Sequence, residues 1–344
     1  MLESLGVSGL PTTSTQPMAR FFASSPGGKL LDAELPQQLF GGRGLVVPRQ
    51  VLDEHLIRHA VRAGAQLREG VLVEQVSTSE QGAQVRCKGG ETLDADVVLG
   101  CDGSPSVVRR SLGAPTFPPE HCAFAVRAYY ENVSFSRPHA FGFFWERELL
   151  PGYAWIFPLP DGRANVGVGM RADLIPKLPF KLPEMLQRFV ETAAGQRELR
   201  GARAVGKCKG HHLPFGSFVR DVVFQRALLL GDAAGFINPL TGEGIELALE
   251  SGQFAAETIE TAAQKGDYSA ASLSSYQARC RERFETPFRL NTRLMRFFER
   301  PALVDRLISA AQRSKRLQVD LASVMLGVAQ QISWRILLGA ALGV

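Results

Sequence analysis

The sequence predicts an α/β fold: a doubly wound domain, an antiparallel β-sheet domain inserted into it, and a C-terminal helical region. Three observations predict it. Two short apolar runs, Asp96-Val97-Val98-Leu99-Gly100 and Ala227-Leu228-Leu229-Leu230-Gly231, each lead into an aspartate and then a helix-forming stretch, as in parallel-sheet units. Between them, residues 122–170 carry several aromatic-rich segments that partly alternate apolar and polar residues. From Arg289 to Arg300 the pattern turns to three- and four-residue periodicity with many arginines.

The stretch from Ala227 to Glu246 reads as strand, acidic turn, glycine loop and helix start. Asp232 follows the strand at the position where a side chain leaves the carboxyl end of a sheet and can accept from a sugar hydroxyl. Gly242 and Gly244 let backbone approach a ligand closely, and a helix from about Ile245 to Thr261 aims its unpaired N–H groups and positive dipole end the same way. A plain strand-to-helix connection does not need this many small residues.

Asp102 and Gly103 open the second such turn, followed by Ser104-Pro105-Ser106-Val107-Val108-Arg109-Arg110. On local grounds Asp102 also reads as an ordinary turn or N-cap residue. Upstream, Val47-Pro48-Arg49-Gln50-Val51-Leu52 opens a helix with apolar positions Leu52, Leu56, Ala60 and Ala63. Arg49 there also reads as a solvated arginine ahead of a helix.

These three motifs, in this order, resemble those of the glutathione-reductase-like FAD enzymes, the group of aromatic hydroxylases, flavin halogenases and geranylgeranyl reductases. The resemblance covers about Arg43 to Thr261 and implies FAD as cofactor. It implies that Asp232 binds the ribityl chain and that the backbone from Gly242 through Gly244 to Ile245 meets the pyrimidine end of the flavin. Asp102 and Gly103 would fasten the loop beside the cofactor, Gly231 and Pro239 belong to the last motif, and Arg49 would lie against FAD.

Such folds begin with a strand, a G-x-G-x-x-G turn and an acidic residue roughly 20 positions on. Nothing in the first forty residues fits. Met1-Leu2-Glu3-Ser4-Leu5-Gly6-Val7 reads as a helix end with a glycine cap, and Gly41-Gly42-Arg43-Gly44 as a turn. The expectation is an incomplete FAD-binding domain, beginning inside the usual one and lacking its N-terminal βαβ unit, which puts tight FAD binding in doubt and leaves apolar strand faces open. It comprises residues 1–17, 43–115 and 216–265, with 18–42 and 116–215 as the substrate-binding sheet domain and 266–344 as the helical region.

Composition fits a folded chain of about two domains: 344 residues, 45% hydrophobic and 21% charged. The five cysteines, Cys87, Cys101, Cys122, Cys208 and Cys280, show neither C-x-x-C nor metal spacing and read as buried free thiols, Cys101 as core packing. No metal site is expected. No secretory signal opens the chain, so cytoplasmic residence is expected, with peripheral membrane contact as an option. That option comes from the tail: residues 276–344 hold twelve Lys plus Arg against five Asp plus Glu, a net charge of +7, leaving −2 for the rest. Arg289, Arg293, Arg296 and Arg300 interleave with Leu290, Leu294, Phe297 and Phe298, which suits packing on the protein body or lying on an anionic lipid surface. Leu321 to Trp334 is uncharged but short of the ~20 residues that cross a bilayer. No nucleic-acid motif is present.

Within the inserted sheet, Tyr153, Trp155 and Phe157 share one strand face, and Gly167 and Gly169 on the next strand would leave room for something flat or apolar. Two-sheet core packing explains the same pattern. The segment Pro151-Gly152-Tyr153-Ala154-Trp155-Ile156-Phe157-Pro158 is similar to the Y-x-W-x-F-P strand of the geranylgeranyl reductases, and the loop Asn238-Pro239-Leu240-Thr241-Gly242-Glu243-Gly244 resembles theirs. The resemblance implies reduction of an isoprenoid double bond by hydride from reduced flavin, with a hydrophobic prenyl substrate lined by Tyr153, Trp155 and Phe157 and NAD(P)H or ferredoxin as electron donor. No proton donor or other catalytic residue is assigned. The alternatives are a flavin-dependent monooxygenase or halogenase, whose W-x-W-x-I-P motif Trp155-Ile156-Phe157-Pro158 matches only in part, and a non-catalytic lipid-binding remnant. His211 and His212, on opposite strand faces, read as structural or surface residues and not as a chelating pair. No cysteine precedes Cys87, so no early redox cysteine is carried over.

Overall fold

The computed structural model describes residues 2, 5–35, 37, 44–218, 221–327, 335–336 and 339. The chain divides into two compact units, one formed by Gln66–Ala123 and His212–Thr292, the other by Leu2–Ala65, Phe124–His211 and Arg293–Val344.

The first unit holds a small sheet in the order Val223–Phe224, Ala227–Leu229, Val98–Gly100. Ala227–Leu229 is its middle strand, antiparallel to Val223–Phe224 and parallel to Val98–Gly100. All three of its residues are fully buried, as a strand covered on both faces requires, which is why it reads as an unbroken apolar run. A second, antiparallel sheet runs Val73–Thr78, Ala83–Cys87, Thr92–Ala95. The helices Ile245–Lys265 and Ser274–Phe297 supply the rest of this unit's core: Ala255, Tyr276, Phe284 and Phe288 pack with Leu228, Leu229 and Phe236.

Val98–Gly100 is the outer strand, and here one expectation is corrected. Cys101 is exposed and not core, as is Leu99 at 40%. Side chains alternate along a strand, so Leu99 and Cys101 share the open face while Val98 and Gly100 face the core. Cys208 is also exposed, and Cys87, Cys122 and Cys280 are buried free thiols.

The second unit is built on a seven-stranded sheet in the order Arg203–Pro214, Cys122–Glu131, Arg163–Arg171, Tyr153–Leu159, Ala140–Phe144, Arg20–Ser24, Leu30–Glu34. It is antiparallel between Ala140–Phe144, Tyr153–Leu159 and Arg163–Arg171, and between Arg20–Ser24 and Leu30–Glu34, with one parallel pair where Arg20–Ser24 meets Ala140–Phe144. Residues 26–27 form the turn between Arg20–Ser24 and the edge strand Leu30–Glu34. One face, with Phe22, Phe144, Ala154, Ile156, Val166 and Val168, is covered by Leu182, Met185, Leu186 and Phe189 of helix Leu182–Glu191.

The C-terminal region packs on this unit. Phe298 lies against Trp145 with ring centroids 5.4 Å apart, and helix Pro301–Arg313 reaches the edge turn, where Asp305 accepts from Ser25 Oγ and Gly27 N–H. Arg293, Arg296 and Arg300 remain exposed, so the amphipathic pattern divides as its periodicity indicates. Among the described residues no helix is long and apolar enough to cross a membrane; residues 328–334 of the uncharged stretch lie outside them.

Two N-terminal readings can be compared. The glycine cap is present, with Gly6 at φ +69° and Val7 N–H donating to Leu2 O at 2.9 Å, while residues 41–43 of the expected turn lie outside the described residues. The helix Arg49–Arg62 forms but buries no residue; Ala63 is its C-cap, and Ala60 and Ala63 are exposed. Ile57 and Val61, 43% and 37% exposed, sit a quarter-turn round from Leu56 and Ala60, so its apolar residues do not make one stripe.

Tyr276 is fully buried, and its hydroxyl donates to Leu229 O at 2.8 Å. Tyr276→Phe leaves that carbonyl without its donor, and a loss of about 1–2 kcal/mol is expected in chemical unfolding.

Candidate functional site

Asp232 stands in a one-turn helix, Gly231–Ala234, directly after the buried strand. The chain makes that turn at Gly231 (φ +52°), a conformation open to glycine, and leaves it at Gly235 (φ +84°). The Gly231 N–H donates to Ser251 Oγ at 3.1 Å, and Ser251 in turn donates to Ala248 O, so the turn is fastened to helix Ile245–Lys265. Asp232 is half-buried.

The glycine loop doubles back onto the same point. Asn238 Oδ1 accepts from the Leu240 and Thr241 N–H groups, Asn238 N–H donates to Glu243 O, and Gly242 N–H donates to Asn238 O. Gly242 (φ +69°) makes the sharp step, Pro239 is buried in the loop, and Gly244 is the N-cap of the helix that Ile245 begins. A Cβ on Gly244 would stand 3.3 Å from Asp232 Oδ1, which places this carboxylate beside the start of a 21-residue helix. Ile245 is 43% exposed there.

Asp102 and Gly103 form the facing turn. Asp102 Oδ1 accepts from Ser106 Oγ at 2.6 Å, and Oδ2 accepts from the Val107 and Val108 N–H groups at 2.6 and 3.1 Å. Ser106 Oγ accepts from Arg109 N–H. Ser106, not Asp102, is thus the N-cap of helix Val107–Ser111, and Asp102 accepts from that helix's first two N–H groups. Gly103 turns at φ +70°.

Arg109 ties these two turns together, and His212 ties the 102–105 loop to strand Arg203–Pro214. Arg109 is 5% exposed; its Nε donates to Pro115 O, its Nη1 to Ala233 O at 3.1 Å, and its guanidinium lies 4.0 Å from the Phe117 ring centroid. Phe117 fills the space where Gly235 has no side chain, since a Cβ there would be 2.6 Å from the ring. Burial lowers the Arg109 pKa, and Nη2 has no hydrogen-bond partner among the described residues. His212, read from sequence as structural or surface, has its Nδ1 2.8 Å from Ser104 Oγ in the loop after Gly103. No local pattern signals either arrangement, because the contacts span 124 and 108 positions of the chain.

The remaining site residues belong to the second unit. Arg49 is 60% exposed and pairs with Asp53 at 2.9 Å, which is the solvated arrangement. Tyr153, Trp155 and Phe157 do share a strand face, each half-buried between fully buried neighbours. They join a ring array with Phe141 and Phe143, with Phe143 centroids 5.7 Å from Tyr153 and 5.4 Å from Phe157. The space over Gly167 is not open: the Trp155 indole occupies it, 2.2 Å from where a Cβ would be, and Nε1–H donates to Asn165 Oδ1. Burial raises the Tyr153 pKa, so its phenol keeps its proton.

In the first unit, a buried parallel strand, an aspartate at its carboxyl end and a glycine loop against a helix start make the arrangement in which dinucleotide-cofactor proteins of the flavoprotein class hold an anionic ligand. The residues present fit the anionic arm of FAD, because backbone and small residues leave the helix start open beside Asp232. The family described as FAD binding domain matches residues 11–289. Digeranylgeranylglycerophospholipid reductase 1 of Methanopyrus kandleri is 32% identical over 304 residues, 83% of this chain and 75% of its own. Menaquinone reductase of Mycolicibacterium smegmatis is 30% identical over 302 residues, 86% of this chain and 72% of its own. The crystal structure of a geranylgeranyl bacteriochlorophyll reductase-like protein from Thermoplasma acidophilum superposes with a TM-score of 0.84 at 22% identity, covering 100% of this chain and 87% of that one. The chain belongs to the geranylgeranyl reductase family of FAD-dependent oxidoreductases, and FAD is its cofactor.

Glu243 yields a pH prediction. Burial raises its pKa above the ordinary 4.5, with Glu246 and Glu250 adding to the shift and the hydrogen bond from Glu246 N–H opposing it. A raised folded-state value means that the side chain's contribution is full below about 4.5 and is lost as pH rises through that raised value. Glu243→Gln should therefore unfold at a higher temperature than the parent at pH 7, with the difference closing at pH 4.

Proposed function

We propose that the chain reduces carbon–carbon double bonds in geranylgeranyl-type isoprenoid chains carried by a lipid or quinone. The observation that carries this reading is kinship over 83% of the chain with a reductase named for a digeranylgeranyl lipid. The aromatic sheet face supports it. A prenyl chain has almost no polar handles, so shape and apolar lining must recognise it, and Tyr153, Trp155 and Phe157 offer such a lining.

Reduced FAD would supply the hydride in this reaction. Asp232 would accept from the ribityl hydroxyls, with Gly231 and Pro239 shaping its turn and loop. The backbone at Gly242, Gly244 and Ile245 would face the pyrimidine end, where the helix dipole favours negative charge. Asp102 and Gly103 would hold the facing loop, and Arg49 would serve at the edge of the site. The cofactor domain would comprise residues 1–17, 43–115 and 216–265, the substrate domain 18–42 and 116–215, and the helical region 266–344. The aromatic array would align the prenyl chain and keep water from it. NAD(P)H or ferredoxin would reduce the flavin. Arg293, Arg296 and Arg300, all exposed, would meet the anionic surface in which such a substrate resides, a peripheral attachment of a cytoplasmic protein.

The test is anaerobic incubation of the FAD-loaded, chemically reduced protein with a digeranylgeranyl glycerophospholipid and with a prenylated quinone. Mass spectrometry should show one or both gaining hydrogen pairs; unchanged prenyl chains alongside a competent flavin would refute the reading. Asp232→Ala should weaken FAD binding by roughly ten-fold or more through loss of charge-assisted hydrogen bonds, read by flavin fluorescence. Trp155→Ala should retain FAD and raise the KM for the prenyl substrate.

A further inference from the structure

The Ser104–His212 pair sits where the loops assigned to the flavin converge. Ser104 follows Gly103 in the loop that Asp102 anchors, and is 8% exposed. His212 lies near the end of the long strand Arg203–Pro214, and its neighbour Leu213 reaches Gly242, 3.7 Å from where a Cβ would stand. The His212 side chain is thereby fastened to the loop after Asp102, while Leu213, on the other strand face, packs by the glycine loop that leads to Asp232. The hydrogen bond survives either charge state of the ring. A serine hydroxyl donates to a neutral Nδ1 and accepts from a protonated one, so titration changes the charge and leaves the contact in place.

We infer that His212 is a positioning residue for FAD, holding the 102–105 loop through Ser104 and coupling the protein's grip on this anionic cofactor to the uptake of one proton by its imidazole. The inference rests on the proposed placement of the flavin and not on the identity of the reduced alkene. A cation fastened to the 102–105 loop would attract the anionic cofactor assigned there, and by linkage the bound cofactor would favour the protonated ring. FAD affinity is then greatest below the pKa of His212 in the free protein and falls as pH rises through its value in the complex. The titratable and charged groups on the elements joined here are Asp102 and Arg109 on the first loop and its helix, Asp232 and Glu243 on the glycine loops, His121, whose carbonyl accepts from Phe215 N–H, and His211 one residue back. Arg109 keeps its charge throughout. Glu243 could mimic the effect, since its ionisation on raising the pH also disfavours an anion, so it is the necessary control.

The experiment measures the FAD dissociation constant of the holoprotein on dilution, by flavin fluorescence, from pH 5.5 to 8. The parent protein should lose roughly five-fold in affinity across this range, as expected for one screened charge near the cofactor. His212→Gln, which keeps a hydrogen-bonding side chain without the charge, should give a flat profile, whereas Glu243→Gln should keep the step. A flat parent profile, or a step that persists in His212→Gln, overturns the inference. A second readout uses the unaltered protein. The imidazole resonance absent from the His212→Gln spectrum should titrate at higher pH with FAD bound than without, and an unchanged or lower value overturns it. Asp232→Ala reports separately on placement of the cofactor: unaltered FAD affinity there refutes the placement, while a pH-independent parent refutes the role of His212.

Discussion

The fixing of one turn governs the site: Gly231, at positive φ, ends a strand with no solvent-exposed atom and presents the next side chain at the sheet's carboxyl end. Three separate groups hold that turn. Tyr276 donates to the strand's last carbonyl, Ser251 accepts from the Gly231 N–H, and Arg109 donates to the carbonyl of Ala233. Each holding group comes from a different helix, so the direction of Asp232 is set by packing of the whole unit and not by the turn alone. A carboxylate placed this way loses little freedom on meeting a ligand, which is how a rigid scaffold turns hydrogen bonds into affinity.

The same fastening explains why a cation is buried without a carboxylate partner. Arg109 gives up hydration, which lowers its pKa, and receives two carbonyls and an aromatic face in return. Guanidinium tolerates this better than ammonium because its charge is delocalised and its hydration weaker. The stack of Arg109 on Phe117, and of Phe117 into the side-chain-free space at Gly235, joins the two acid-bearing turns into one rigid piece. Gly235 therefore has two reasons to be glycine, its left-handed φ and the ring beside it.

Much of this was legible in the sequence because its signals are local. An apolar run, an acid and a glycine loop before a helix have one sensible folded form, and 227–246 takes it. The alternation of Tyr153, Trp155 and Phe157 placed them on one face for the same reason. What stayed hidden depends on distant partners. Cys101 looked like core because its strand is apolar, but the strand is the outermost of three, and period-two geometry turned the cysteine and Leu99 outward together. The apolar residues of helix Arg49–Arg62 looked like a stripe because only every third and fourth position was counted, while Ile57 and Val61 lie off it. Arg109 falls within the Asp102 motif and His212 reads as structural or surface, but no local pattern names Ala233 or Ser104 as their partners, more than a hundred residues away.

The aromatic strand shows how a pattern can be right in placement and still be read too simply. Glycines opposite an aromatic face suggest vacancy, yet Gly167 is glycine because Trp155 lies on it, pinned by the bond from its indole N–H to Asn165. A pinned indole does not swing aside, so the ring array of Tyr153, Phe143 and Phe157 presents a fixed contour instead of a pliable one. Dispersion contacts are individually small and count only when many are made at once, so a fixed aromatic contour discriminates by shape. The aromatic array in one unit and the acid-bearing turn in the other are both ordered during folding, so neither has much entropy left to lose on contact with another molecule.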